Sequence, residues 1–155
     1  MKRFLSAFIV LIIILSIVSC GEKYTDTNGD ADYTLQTITD YDIINLSTGS
    51  SGMTYTEESK ILPVSSAEYH SGNFNGVECI YRNYYVGKSD VSIYIGHMNV
   101  EKGNFRICVI NDGKIIFDIP ADAFNETYTF EDLAGDFSVH VAGESAEFKF
   151  HIDIY

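Results

Sequence analysis

Two stretches near the C-terminus alternate strictly between apolar and polar residues. Phe137, Val139 and Val141 alternate with Ser138, His140 and Ala142. Ala146, Phe148, Phe150, Ile152 and Ile154 then alternate with Glu147, Lys149, His151 and Asp153. A period of two puts successive side chains on opposite faces of a strand, one buried and one wet, and no amphipathic helix carries that pattern. The apolar set changes from odd to even numbers across Gly143-Glu144-Ser145. In a hairpin both sets share a face only if paired residue numbers sum to an odd value. A two-residue Gly143-Glu144 turn meets this condition, with glycine first as a type II′ turn prefers, and so does a four-residue loop over 143–146. The pattern therefore predicts a terminal hairpin that buries Phe137, Val139, Val141, Phe148, Phe150 and Ile152. It predicts that His140, Lys149 and His151 face solvent, with His140 opposite Glu147 and His151 opposite Asp136 in the shorter register.

The same reading extends upstream. Residues 77–83 form a strand with Val77, Cys79 and Tyr81 on one face. Val91, Ile93 and Ile95 alternate in the next, and Met98 and Val100 follow out of phase after Gly96, as at a β-bulge. Residues 105–110 and 115–119 flank Asn111-Asp112-Gly113-Lys114, a strong hairpin signal because both central residues favour positive φ. A further short strand covers 126–130, and residues 121–124 are too short for a helix that matters. About seven strands with frequent turns argue for an all-β fold, an antiparallel β-sandwich of immunoglobulin-like or related type.

The N-terminus carries a different message. Lys2 and Arg3 precede an apolar run from Phe4 to Val18, which ends in Ile17-Val18-Ser19-Cys20. Fifteen helical residues reach roughly 22 Å, short of the ~30 Å hydrocarbon core. A basic start, a short apolar run and a small residue before the cut read as an export signal. The cysteine resembles that of a bacterial lipobox, which implies that residues 1–19 are a signal peptide and that Cys20 becomes a lipidated N-terminus. Two acyl chains on Cys20 hold a protein stably in membrane lipid at the extracytoplasmic face of the bacterial membrane. The alternatives are an uncleaved anchor or an ordinary signal with an incidental cysteine. Residues 20–62 are rich in Thr, Asp, Ser and Gly and read as an acidic tether, with residues 63–155 as the sandwich domain. Within the tether, Ile43-Ile44 either docks on the domain or stays solvated.

The runs Val91–Ile95, Glu101–Phe105, Asn111–Phe117 and Ala134–Val141, together with the lipobox, resemble small Gram-positive-type cell-surface lipoproteins with a C-terminal β-sandwich of unknown function. The chain departs from their Gly-Lys-Tyr pattern at Gly135-Asp136-Phe137. The resemblance implies fold and location and transfers no catalytic residue.

The chemistry legible in the residues is sparse. The formal charge is −12; Lys2 and Arg3 leave with an acid-free leader, so the remainder carries −12 − 2 = −14. Such a surface repels polyanions, and no nucleic-acid partner is expected. Residues 26–32 place oxygen ligands at alternate positions, but Ala31 and Thr37 stand where a calcium loop needs glycine and a bidentate acid. Cys79 and Cys108 either pair or remain buried thiols. No nucleophile elbow, phosphate loop or zinc-helix motif is present. No catalytic residue, metal ligand or cofactor is assigned. Tyr81, Tyr84 and Tyr85 form the densest aromatic cluster and the candidate interface, since alternation cannot bury Tyr84 and Tyr85 together. The expected function is a non-enzymatic binding or envelope-associated module with a cell-wall or surface-protein partner. The alternative is metal-dependent or hydrolytic activity on cell-wall material. The Cys20→Ala variant is expected to lose both labelled fatty acid and detergent-phase partitioning; unchanged labelling would refute the lipobox reading.

Overall fold

A computed structural model describes residues 35–61 and 64–155. A short helix α1 (Asp40–Asn45) precedes four strands: β1 (Thr54–Ile61), β2 (Val64–Asn111), β3 (Lys114–Ile119) and β4 (Glu126–Ile154). β2 is 48 residues long and β4 is 29. Drawn straight, β2 would reach about 160 Å, several times the width of a domain of this length. Both strands must therefore bend back, and their pairing shows how. Residues 65–85 of β2 run antiparallel along one edge of β4, from Ile154 to Gly135, and residues 93–111 run along its other edge, from Ile154 to Phe137. β4 has the same strand on both sides.

The result is the expected all-β antiparallel architecture, with the separate short strands joined through bends. One layer has the order β1, residues 64–71, residues 148–154, residues 93–100. Ile93 pairs with Ile154 on one side and Tyr128 on the other, which adds residues 126–130 to that layer. The second layer has the order 77–85, 135–142, 104–111, β3. Their inner faces share one apolar cluster, to which Tyr69, Ile93 and Phe150 come from the first layer and Ile107, Phe137 and Val139 from the second. Aromatic contacts tie the layers at the bend, with the Phe105 and Phe148 rings 4.4 Å apart.

The expected terminal hairpin does not form. Residues 137–141 and 146–154 belong to one continuous strand, and the residues between them are a bend. A one-residue change of phase arises equally from an even-length turn or from a bulge within a strand. Here it is the bulge, because β2 already occupies both edges of each half. Gly103 of β2 nests against it at φ 74°; a Cβ there would sit 2.3 Å from the Ser145 carbonyl oxygen. The Asp112-Gly113 hairpin is as expected, with Asn111 paired to Lys114 and φ of 46° and 68° at the two turn residues. The register also shifts between Ile95 and His97, at Gly96.

The six core residues expected from alternation are all buried, and Lys149 is exposed. His140 is a correction: it is fully buried, because residues 35–46 lie over its face of the second layer. His140 pairs with Cys79 and Cys108, and His151 with Glu68 and His97, so the expected partners Glu147 and Asp136 are both replaced. A further register shift between Cys79 and Tyr81 turns Tyr81 inward, so Val77 and Cys79 do not share its face. The packing also extends upstream of Pro63. Residues 54–61 pair with 64–70, and Ile43 is fully buried, so the packed unit includes much of the stretch that composition assigned to the tether.

Phe150→Ala is expected to cost about 3–5 kcal/mol, because the ring is fully buried between Tyr69 and Phe105. Lys149→Ala, one residue away on the wet face, should stay within about 0.5 kcal/mol of wild type. Denaturant titration of both variants measures the difference.

Candidate functional site

The two outer faces of the sandwich differ in kind. On the second layer the outward positions include Val77, Cys108, Ile110 and Ala142, which are apolar and would otherwise face water. Residues 35–46 cover them. Thr39 caps α1, accepting from the Asp42 N–H while the Asp42 carboxylate accepts from the Thr39 N–H, a reciprocal capping box. The helix is only six residues long and could not persist alone; packing of Ile43 holds it.

Polar anchors fix this cover in place. Glu144, in the bend of β4, accepts from the backbone N–H groups of Gln36, Thr37 and Ile38 at 2.7, 2.6 and 3.0 Å, and from the Asn104 side chain at 3.1 Å. Burial works against its charge, but these donors outweigh it and hold the carboxyl at about 2. Arg106 forms a two-pronged pair with Asp118 and reaches Asp40 of α1 at 2.5 Å. Beneath the helix, His140 Nδ1 lies 2.7 Å from the Ile43 carbonyl oxygen. That carbonyl can only accept, so Nδ1 carries the proton.

Cys79, His140, Cys108 and Asp118 form one row across four adjacent strands. Cys79 and Cys108 flank His140 from opposite sides, two strand spacings apart, which is roughly 9–10 Å between Cα atoms and beyond disulfide reach. Both thiols are free. Burial pushes both thiols above their ordinary range; the Cys79 thiol donates to the Tyr81 carbonyl and that of Cys108 to Asp118. These are packed, unreactive thiols.

The outer face of the first layer is open and polar. It carries His70, His97 and His151, three of the four histidines, with Glu68, Lys149, Asp153 and Ser66. Glu68 pairs with Lys149 at 2.9 Å and lies 3.7 Å from His97 Nε2. The His97 and His151 rings stack at 6.2 Å and 19°. Gly96 makes room for them, since a Cβ there would lie 2.7 Å from His151 Nδ1. Ser66 Oγ and Asp153 Oδ1 both approach the same nitrogen, His151 Nε2, at 3.4 Å, and Ser66 donates to Asp153 at 2.5 Å. A nucleophile relay needs hydroxyl and carboxylate on opposite ring nitrogens, so this arrangement organises a surface and does not activate a serine. Among the described residues no three His, Cys, Asp or Glu side chains converge as a metal ligand set.

The structure separates the aromatic cluster. Tyr81 faces the interior against Phe137, at 6.1 Å, while Tyr84 stands on the outer face and is 68% exposed. Tyr85 pairs with Gly135 through the backbone. Cys20 and the acidic loop at 26–32 lie outside the described residues. The sequence reading missed the open histidine face as a unit, because its members come from three segments far apart in the chain. Only the known register brings them together.

No family model matches the chain, and no curated protein does. Among solved structures it is similar to a cupin domain from Bordetella pertussis Tohama I, at 10% identity, covering 66% of this chain and 91% of that one with a TM-score of 0.36. It is also similar to a cupin superfamily protein from Desulfitobacterium hafniense DCB-2, at 14% identity, covering 64% and 74% with a TM-score of 0.31.

Glu144→Gln keeps the shape of the anchor and removes its charge. It is expected to cost roughly 1 kcal/mol near neutral pH, less than for a buried charged acceptor because solvent reaches the carboxylate. A depressed carboxyl stabilises the docked state above its unfolded pKa and loses that contribution as the pH falls. The gap between wild type and variant should therefore shrink below about 4.5, the ordinary value, and vanish towards 2. Chemical denaturation at several pH values reads this gap directly.

Proposed function

We propose that this protein is an exported, lipid-anchored binding module of the bacterial envelope, and that it engages its partner through the open histidine-bearing face. The observation that carries the reading is the contrast between the two outer faces. The chain covers the apolar one with its own residues 35–46 and leaves open the one built from Glu68, His97, Lys149 and His151. A preorganised, polar sheet face suits reversible recognition of a polar polymer or protein surface. The lipobox reading of Cys20 supplies the location. The hydrolytic alternative finds its nearest counterpart in Ser66, His151 and Asp153, whose shared nitrogen argues against it.

Capture of purified cell-wall fragments and surface proteins by the immobilised protein tests the reading. Lys149→Ala combined with His97→Ala is expected to reduce capture at least tenfold while leaving stability within about 1 kcal/mol, as for surface changes. Tyr84→Ala should leave capture unchanged. Loss of capture in the Tyr84 variant alone would move the interface to the second layer, where Tyr84 pairs with Asp136.

A further inference from the structure

Nε2 of His140 is buried and has no hydrogen-bond partner. Nδ1 donates to the Ile43 carbonyl, one of the last carbonyls of α1, so the bare Nε2 lone pair is the only vacancy on the ring. The neighbouring thiols cannot fill it, since both donate elsewhere. A proton added at Nε2 would create a buried cation whose new N–H meets no acceptor. The same ring is what residues 35–46 sit on.

We propose that residues 35–46 are an acid-released strap, which leaves the sheet when His140 takes up its second proton. The segment has the parts this requires. Its hold is local: Ile43 in the apolar cluster, three N–H groups on Glu144, Asp40 on Arg106, and the Ile43 carbonyl on His140. It is joined to β1 through Ser47–Gly52, outside the paired strands apart from a single bridge between Ser51 and Asn75. The sandwich beneath keeps its own core without it, because the inner cluster contains no residue of the strap.

The charged and titratable groups around His140 do not remove the penalty. From β2 come Cys79, Cys108 and Arg82, from β4 Asp136, from β3 Asp118, and from α1 Asp40 and Asp42. Arg82 is paired with Asp136, Asp118 and Asp40 with Arg106, and Asp42 with Thr39 and Ser47. Burial pushes the imidazole below its ordinary 6.5, against the favourable bond to Ile43. A depressed base binds its proton more readily in the released state. Docking is therefore fully favoured above about 6.5 and weakens as the pH falls through that window. Glu144 adds a second, lower step, below about 4.5.

Amide hydrogen exchange on the full-length protein in detergent, corrected for intrinsic rates, tests the strap. Between about pH 7.5 and 5, protection of the amides of 36–46 should fall by up to tenfold per pH unit below 6.5, the limit for one proton. The amides of 137–141 should keep their protection. In His140→Gln, whose amide can still donate to Ile43 but does not titrate, strap protection should stay flat over that range. An equal slope in the variant, or joint loss of protection by strap and strands, overturns the proposal. A titration of the His140 ring by NMR in the wild-type protein decides without a variant. A ring that titrates at or above 6.5 while the strap stays protected also overturns it.

Discussion

Everything in this fold depends on β4 being hydrogen-bonded along both edges by the same strand. That double pairing satisfies the backbone groups of residues 137–154, apart from the bend, and fixes two layers at once. It also makes the register mutually dependent. A slip of β4 by one residue would turn Phe137, Val139, Phe148 and Phe150 outward against both of its neighbours. Long-range pairings of this kind give a high contact order, so folding should be slow relative to helical domains of the same length.

The bends are where the chain departs from regular structure, and they are built jointly. Gly103 and the Glu144-Ser145 pair sit on adjacent strands and turn the sheet at one place. Gly76 does the same on the far side of β4, where a Cβ would lie 2.0 Å from the Gly49 carbonyl oxygen. Gly76 thus serves two purposes: it lets β2 bend and it lets the strap's linker pass against the sheet.

Strand type, inner face and the Asp112-Gly113 turn were legible because each is a local pattern of a few residues. Connectivity was not. The change of phase at 143–145 has two physical solutions, and the choice between turn and bulge rests on which strands occupy the edges, a fact spread over residues 65–111. The docking of residues 35–46 was obscured for a related reason. Leu35, Ile38, Ile43 and Ile44 are sparse among polar residues, and their burial follows from apolar positions on another part of the chain. His140 was misplaced for the same cause: alternation correctly puts it on the outer face, but the outer face of that layer is covered.

The contrast between the two outer faces follows from this. Where outward positions carry Val77, Cys108, Ile110 and Ala142, leaving them wet would expose a contiguous apolar patch, and burying them against Ile43 contributes stability in proportion to the area covered. Where outward positions carry Glu68, His97, Lys149 and His151, no such drive exists, and covering them would strand charges away from water. The same period-two alternation therefore assigns one face to the chain itself and the other to solvent. The covered face contains a histidine whose neutral form is the one that fits, because burial disfavours its charge and its Nε2 meets no acceptor.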